Sequence, residues 1–195
     1  MTLLNLESIG FMLFAYLLGS LSSAIILSKI MGFTDPRSGG SNNPGATNVL
    51  RIAGKKAAFL TLVGDCLKGL IPVMTALAVS EDRLLIALTG FSAFLGHCYP
   101  LFFRFKGGKG VATAIAVNVG FNWLIGLIII GIWLLFAKVF KISSLAAIIA
   151  FAALPLLIFW QESSLWVTLV FTAMSTLLIW RHKANIQRLV QGIES

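Results

Sequence analysis

Long apolar runs separated by short polar segments make up most of this sequence. The runs cover residues 8–27, 57–79, 84–103, 111–137 and 145–180. Each run can cross a hydrocarbon core of roughly 30 Å as an α-helix, because a helix rises about 1.5 Å per residue. Turn-forming and polar residues interrupt the fourth run at 120–123 and the fifth at 161–164. We therefore predict an all-α bundle of seven transmembrane helices that forms a single domain over residues 1–195.

The composition agrees with a membrane location. Hydrophobic residues make up 58% of the chain and charged residues 11%, with a mean hydropathy of +0.94, whereas soluble domains carry about 25% charged residues. A soluble fold and an unfolded chain are both excluded on this basis. The first run is longer than a signal-peptide core and has no basic residue before it, so we expect a retained first helix.

The distribution of basic residues predicts the orientation. If the fourth run contains two spans, 13 of the 15 lysines and arginines lie on one side of the membrane, and Arg83 lies on the other. Cytoplasmic loops carry such an excess, so we expect an external N-terminus and a cytoplasmic C-terminus. The formal net charge of +8 then reflects orientation, and we expect no nucleic-acid partner. Residues 111–120 are short for a span and must tilt or lie in locally thinned bilayer.

The first polar segment, residues 35–51, reads DPRSGGSNNPGATNVLR. Glycine, serine and asparagine allow backbone N–H groups to converge on an anion, and Arg37 and Arg51 supply positive charge. The same residue types also occur in ordinary flexible turns. The length of the segment and its basic flanks favour a phosphate site.

The second segment contains KGGKG directly before an apolar helix. Free amides, a helix N-terminus and the lysines Lys106 and Lys109 together favour an anion. The P-loop pattern GxxxxGK[ST] is absent, which disfavours a nucleotide hydrolase. The alternative is that both lysines only anchor the chain at the membrane surface. The role of His97 stays open: it either forms a hydrogen bond to the backbone or takes part in proton transfer.

The third segment, RHKANIQRLVQGIE, begins at Arg181. Its aliphatic residues fit an amphipathic tail on the membrane surface. That interpretation leaves His182, Asn185 and Arg188 unexplained, since steps of three place them on one side of a helix, where they could contact a polar ligand.

Several polar residues in or next to the apolar runs have two interpretations. Asp65 and Lys68 are three residues apart in one span, and they serve either catalysis or a structural ion pair. Ser143 and Ser144 stand at a helix start, where capping is the favoured role. We expect no metal or cofactor, because the chain shows no ligand cluster of carboxylates or histidines.

The motifs GSNNPGATNVLR, FLGHCYPLFFRFKGGKGVAT and RHKANIQRLVQGIE resemble, in order and spacing, the three cytoplasmic motifs of the bacterial acyl-phosphate:glycerol-3-phosphate acyltransferases, the PlsY family. The resemblance implies acyl transfer from acyl phosphate to the 1-hydroxyl of glycerol 3-phosphate, giving lysophosphatidic acid and phosphate. It also implies an active site on the cytoplasmic face of the bacterial inner membrane, among membrane lipid, with a soluble phosphate acyltransferase supplying the donor. The alternative is a transporter of a small phosphorylated anion, which the mostly acidic outer residues disfavour.

The resemblance further implies site residues. Those expected in catalysis are His97, Lys106, His182 and Asn185. Those expected to bind substrate are Ser41, Asn42, Gly45, Thr47, Asn48, Arg51, Gly107, Gly108, Lys109, Gly110, Ser143, Ser144 and Glu194. Which of the two adjacent serines belongs to the site stays open. The general base also stays open between His97, His182 and a substrate phosphate oxygen.

Overall fold

The computed structural model describes residues 6–194, and its regular structure is helical throughout. The helices are α1 (Leu6–Gly19), α2 (Ser23–Met31), α3 (Ala46–Val79), α4 (Arg83–Cys98), α5 (Val111–Phe121), α6 (Trp123–Phe140), α7 (Ser143–Gln161), α8 (Leu165–Arg181) and α9 (Lys183–Val190). A short 3₁₀ turn, Leu101–Phe103, follows α4. The predicted all-α class is confirmed for the described part of the chain.

Five helical segments are long and apolar enough to cross a membrane. They are Leu6–Met31, Ala46–Val79, Arg83–Phe103, Trp123–Phe140 and Ser143–Gln161. A sixth is reached if α8 and α9, which meet at a bend of 57°, count as one span. Helix α5 is apolar but has 11 residues, which is about 16 Å of helix. The protein is thus a multi-span membrane protein. Helix length and composition support five or six spans, so the count of seven spans stays a prediction.

Both predicted interruptions of the long apolar runs are confirmed. Asn122 separates α5 from α6, and its Oδ1 accepts hydrogen bonds from the Leu124 and Ile125 amides at 3.1 and 3.3 Å. The Ser164 side chain caps α8 by accepting from the Val167 amide at 3.4 Å. These side chains satisfy amides that a helix start leaves without partners, which explains why the helices begin there.

The first predicted span is a candidate membrane span in the structure, Leu6–Met31, but the chain leaves the helical path within it, between α1 and α2. The carbonyl oxygen of Leu21, at this break, accepts a hydrogen bond from Lys68 Nζ at 3.0 Å. Lys68 Nζ also lies 2.9 Å from Asp65 Oδ1, and both side chains are at least 95% buried. An unpaired carbonyl costs several kcal/mol in lipid. Lys68 therefore satisfies the carbonyl oxygen at the break, and Asp65 neutralises Lys68. These contacts support a structural role for the ion pair.

Helix α3 begins earlier than the apolar pattern predicts. It starts at Ala46 and is kinked at Gly54, where φ is 79° and ψ is −175°. The first polar segment is consequently a shorter loop than expected. Arg51 lies on the first turns of α3 rather than in that loop.

The two ends of the bundle have different contacts. At one end, Arg83 at the start of α4 forms an ion pair with Glu162 and donates to the Phe121 carbonyl oxygen at 3.1 Å. At the other end, the Tyr16 hydroxyl donates to the Tyr99 carbonyl oxygen at 2.9 Å. Since consecutive long helices run between these ends, residues 32–45, 99–110 and 182–194 share the second end, which we call the loop end.

Large apolar side chains occur both inside and outside the bundle. Phe94, Phe151 and Phe171 are fully buried between helices. On the outside, Leu156 and Trp160 of α7 are 73% and 80% exposed. An apolar exterior of this extent is stable in lipid rather than in water, so the side-chain distribution agrees with the membrane assignment.

Candidate active site at the loop end

The first loop is organised by Asn48, on the first turn of α3. Its Oδ1 accepts from the Ser41 amide at 2.8 Å, and its Nδ2 donates to the carbonyl oxygens of Pro36 and Gly39, both at 2.9 Å. The side chain is 1% exposed. Its hydrogen bonds within residues 6–194 thus hold the loop together, and its predicted contact with substrate stays a prediction.

The KGGKG segment forms a tight loop between α4 and α5. Gly110 has φ of +84°, and a Cβ there would lie 2.2 Å from a ring carbon of Phe94. At Gly108, a Cβ would lie 2.3 Å from His97 Nε2. Only glycine combines the left-handed backbone with this close approach. The glycines therefore shape the loop through packing, and the anion-binding role predicted for their amides stays a prediction.

Arg181, at the end of α8, fixes this loop from the other side. Its Nη2 donates to the Gly107 and Gly108 carbonyl oxygens at 2.8 and 3.0 Å. The guanidinium carbon also lies 5.3 Å from the centre of the Tyr99 ring, within the range of a cation–π contact. The sequence offered no signal for this role, because Arg181 is equally an ordinary basic residue at a helix end.

A hydrogen-bonded cluster of side chains joins the second and third segments. Lys109 Nζ donates to Asn185 Oδ1 at 2.6 Å, and Asn185 Nδ2 donates to Glu194 Oε1. Asn185 is 5% exposed and is the buried residue of α9. We call Lys109, Asn185 and Glu194, with the two residues described next, the Glu194 cluster. The sequence placed all three in the site, and the structure brings them together.

Ser144 and Arg188 complete the Glu194 cluster. Ser144 Oγ donates to Glu194 Oε1 at 2.7 Å, and Arg188 Nε donates to Glu194 Oε2 at 2.5 Å. Residue 142 is the N-cap of α7, with no side-chain cap bond, so the expected capping role of the serines is wrong. Of the two serines, Ser144 is the one in this cluster, while Ser143 has no polar side-chain contact within residues 6–194.

Burial and neighbouring charges set the protonation of Lys109. Burial lowers the pKa of Lys109, the charge of Glu194 opposes this, and the charges of Arg188, Arg181 and Arg51 add to the lowering, so that the pKa falls to about 8. Arg51 therefore lies close enough to act on Lys109, which connects the first segment to the other two. Several cations around one carboxylate favour an added anion.

Glu194 keeps its charge in this environment. Burial raises the pKa of its carboxyl, but hydrogen bonds from Ser144, Asn185 and Arg188 outweigh burial and hold the pKa below its usual value. A charged Glu194 accepts strong hydrogen bonds. It would repel a phosphate at contact distance, so its geometry fits an organiser of the neighbouring donors or an acceptor for a substrate hydroxyl.

His97 lies behind the glycine loop. Thr113 Oγ1 donates to the Asp65 carbonyl oxygen at 2.8 Å and lies 3.1 Å from His97 Nδ1. Because the threonine proton is already used, Nδ1 carries the imidazole proton. The Gly108 amide donates to the His97 carbonyl oxygen at 3.2 Å. These contacts make His97 a support for the loop.

His182 lies at the bend between α8 and α9 and is 2% exposed. Its Nδ1 is 2.8 Å from the Leu178 carbonyl oxygen. A carbonyl oxygen only accepts, so Nδ1 is the protonated nitrogen in neutral His182. No side-chain hydrogen bond occupies Nε2 within the described residues, but burial lowers the pKa of His182 to about 4, so the ring is neutral near pH 7 and is a weak proton acceptor.

The remaining predicted residues are more dispersed. Ser41, Asn42, Thr47 and Lys106 are exposed at the loop end, and Gly45 is the N-cap of α3. Lys106 lines a groove separate from the Glu194 cluster. Sequence reasoning grouped Lys106 with Lys109, but a three-residue separation in a tight glycine loop does not fix where each side chain points.

Comparison with known proteins connects this geometry to a family. The sequence model described as "Glycerol-3-phosphate acyltransferase" matches residues 9–192. A glycerol-3-phosphate acyltransferase of Methylococcus capsulatus is 51% identical over 182 residues, covering 93% of this chain and 92% of the relative. The protein of the same name from Hydrogenovibrio crunogenus is 52% identical, covering 92% of this chain and 87% of the relative.

Two crystal structures of PlsY (YgiH), an integral membrane glycerol 3-phosphate acyltransferase, have similar folds. The glycerol 3-phosphate form has a TM-score of 0.92 and 38% identity, covering 97% of this chain and 94% of that chain. The lysophosphatidic acid form has a TM-score of 0.87 with the same identity and coverage. The resemblance seen in the three motifs is thereby confirmed. Similarity over nearly the whole chain, in sequence and in fold, shows that this protein belongs to the glycerol-3-phosphate acyltransferase family.

Proposed function

We propose that the protein transfers a fatty acyl group from an acyl phosphate to the 1-hydroxyl of sn-glycerol 3-phosphate, giving lysophosphatidic acid and inorganic phosphate. Family membership supports the acyltransferase activity, and the similar crystal structures are of glycerol 3-phosphate and lysophosphatidic acid forms. The observation that carries the proposal is the Glu194 cluster, which places Lys109 beside hydroxyl- and amide-bearing side chains at the loop end.

The cations near Lys109 suit substrates that both carry phosphate. Lys109 and Arg51 are the predicted phosphate contacts that the structure brings within electrostatic range of each other. Because both substrates are anions, bringing them together requires nearby positive charge. Asn185 and Ser144 then offer polar atoms for the glycerol hydroxyls, in positions fixed by Glu194.

The reaction needs positioning more than a strong nucleophile. The 1-hydroxyl oxygen of glycerol 3-phosphate forms a bond with the acyl carbonyl carbon, and the bond from that carbon to the phosphate oxygen breaks. Phosphate leaves with the bonding electron pair, and the hydroxyl proton passes to a base. An acyl phosphate is already activated, so alignment and charge stabilisation supply most of the catalysis.

His182 and a phosphate oxygen of the substrate stay candidates for the base, and the contacts of His97 disfavour that residue. Nδ1 of His97 is bonded to Thr113, and Nε2 packs against Gly108. Nε2 of His182 has no side-chain partner among the described residues, but burial lowers the pKa of this histidine to about 4, and a phosphate oxygen of the substrate is the alternative acceptor. The catalytic role of Lys106 stays a prediction, since its side chain is exposed away from the Glu194 cluster.

The proposed setting is the bacterial inner membrane, with the loop end in the cytoplasm and the N-terminus outside. Seven passes would connect the two bundle ends, with α5 as a short pass that packs beside α3. A soluble phosphate acyltransferase would supply the acyl phosphate on the same side. The acyl chain would lie between helices, among apolar side chains.

Phosphate release by the purified protein in lipid tests the donor. Palmitoyl phosphate is supplied with and without glycerol 3-phosphate, beside a parallel assay with palmitoyl-coenzyme A. We expect phosphate release only with glycerol 3-phosphate, together with formation of lysophosphatidic acid. Turnover with the thioester alone would overturn the donor. No turnover with either donor would favour the alternative transporter of a phosphorylated anion.

A further inference from the structure

A second basic groove lies at the loop end, and the Glu194 cluster contributes no residue to its lining. The groove has a volume of about 540 Å³, within the size range of small-molecule sites. Four cationic side chains line it, and they come from the end of α2, the first loop and the turn after α4. They are Lys29, Arg37, Arg104 and Lys106.

The positive charge of this groove is only partly neutralised. Asp35 pairs with Arg37, with 2.7 Å between Oδ2 and Nη2 and 3.1 Å between Oδ1 and Nε. Lys29, Arg104 and Lys106 form no ion pair or side-chain hydrogen bond within the part of the chain that the structure describes. Cations that converge on one groove repel each other, so a bound anion stabilises the arrangement.

Exposed apolar side chains stand next to these cations in the sequence, and one of them lines the groove. Ile30 follows Lys29 and is 74% exposed, and Phe105 lies between Arg104 and Lys106 and is 53% exposed. Phe102, which is 55% exposed, lines the groove itself. In a membrane protein, aromatic and aliphatic side chains beside cations mark the lipid–water boundary, where anionic headgroups lie.

The turn that carries Arg104 is a fixed structure. Arg104 and Phe105 both have left-handed backbone conformations, with φ of 56° and 59°. Hydrogen bonds to the Pro100 carbonyl oxygen from the Phe103 and Phe105 amides, at 3.1 and 2.9 Å, hold them there. Consecutive non-glycine residues rarely adopt this conformation, so the turn keeps the cationic wall of the groove in place.

We propose that this groove is a second anion site that binds the phosphate headgroup of a membrane amphiphile, with the acyl chain along the exposed apolar side chains. The ligand is either a single-chain phosphate monoester or a diacyl anionic phospholipid, since both present phosphate attached to an apolar chain at the boundary. The groove shares no lining residue with the Glu194 cluster, so binding there does not depend on the acyl transfer reaction.

Native mass spectrometry of the full chain in phosphatidylcholine nanodiscs tests this site. One arm adds dodecyl phosphate, and a second adds phosphatidylglycerol, both with glycerol 3-phosphate present to compete at the Glu194 cluster. The test variant is Lys29→Gln with Arg104→Gln. The matched control is Lys138→Gln with Lys141→Gln, which removes two exposed lysines elsewhere on the chain.

We expect the wild type to retain one amphiphile that glycerol 3-phosphate does not displace. The Lys29→Gln/Arg104→Gln variant should bind it about tenfold or more weakly, because two charge-assisted contacts are lost, while the control changes less than about twofold. Retention that the Lys29→Gln/Arg104→Gln variant loses supports the site: dodecyl phosphate alone identifies a single-chain ligand, and phosphatidylglycerol identifies a resident phospholipid. Equal losses in the two double variants, or no retained amphiphile in the wild type, overturn it. Thermal unfolding of each variant checks its fold, and acyl transfer is assayed separately.

Discussion

Glu194 connects residues that are distant in sequence through hydrogen bonds to one carboxylate. Ser144 lies at the start of α7, whereas Asn185 and Arg188 lie on α9, and all three donate to it. Asn185 in turn accepts from Lys109. A carboxylate with several donors fixes their positions more strongly than single pairs would. At the residue scale, we therefore regard Glu194 as the residue that positions the proposed site.

Replacement of Glu194 by glutamine tests this positioning role. Glu194→Gln keeps an acceptor for Ser144 and Asn185 but removes the ion pair with Arg188. We expect kcat/KM for glycerol 3-phosphate to fall about 10- to 100-fold, since hydrogen bonds to charged groups contribute about 1.5–3 kcal/mol. Glu162→Gln, which removes the ion pair at the opposite end, is the control and should leave kcat/KM unchanged. Equal kcat/KM values in all three proteins would refute the role of Glu194.

The low pKa of Lys109 predicts a pH dependence. Burial lowers this pKa to about 8, so the charge is present below that pH and is lost as the pH rises through it. If the charge holds phosphate, kcat/KM for glycerol 3-phosphate should be about tenfold lower at pH 9 than at pH 7. Residual activity of Lys109→Arg should stay constant over this range, because a guanidinium remains charged. A wild-type profile that is flat to pH 9.5 would contradict the assignment.

At the scale of elements, the break between α1 and α2 is stabilised from α3. Lys68 satisfies the Leu21 carbonyl oxygen, and Asp65 neutralises Lys68. Asp65 also accepts from Thr113 through its backbone, which joins α3 to α5 directly behind the glycine loop. The pair thus supports the arrangement of three helices, and the glycine loop depends on that arrangement.

Replacement of Lys68 by methionine separates the structural role from a catalytic one. Lys68→Met leaves the Leu21 carbonyl oxygen and the Asp65 carboxylate buried without this partner, which should cost about 3–5 kcal/mol of unfolding free energy. The double variant Asp65→Leu/Lys68→Met buries no lone charge and should recover part of that loss. Thermal unfolding in detergent measures both. A Lys68→Met protein with wild-type stability and no activity would instead indicate catalysis.

The sequence predicts elements well where a side chain ends a helix, and poorly where tertiary contacts do. Asn122 interrupts an apolar run and caps the next helix, so the division between α5 and α6 is visible in the pattern. The break after Gly19 has no such signal, because Ser20 and Ser22 are small residues in an apolar run, and the partner that permits the break is a lysine 47 positions from Leu21. Local propensity contains no information about that contact.

At the scale of the whole molecule, the two ends of the bundle differ in chemistry. The loop end collects the three polar segments, and the opposite end is joined by the pair of Arg83 with Glu162. Three separate motifs in one sequence predicted a shared site, and the structure brings Lys109, Asn185, Glu194 and Ser144 together there. The role of Asn48 in the loop could not be predicted, since asparagine suits a turn and a ligand equally well.

Cysteine labelling tests the proposed orientation. In a background with Cys66→Ala and Cys98→Ala, single cysteines replace Glu81 at one end or Lys183 at the loop end, both exposed positions. With a membrane-impermeant maleimide on intact spheroplasts, we expect labelling of Glu81→Cys and protection of Lys183→Cys until the membrane is opened. The reverse pattern would place the loop end outside the cell and contradict the orientation.

Formation of lysophosphatidic acid by a Lys109 variant tests the central claim most directly. Wild type, Lys109→Gln and the exposed-lysine control Lys138→Gln are compared in lipid with palmitoyl phosphate and glycerol 3-phosphate, and the product is measured by mass spectrometry. We predict a loss of about 100-fold or more in kcat/KM for Lys109→Gln, because a charge-assisted contact to phosphate is removed from a buried site. The control and the melting temperatures should match the wild type. Lysophosphatidic acid formation at the wild-type rate by a folded Lys109→Gln protein would contradict the account.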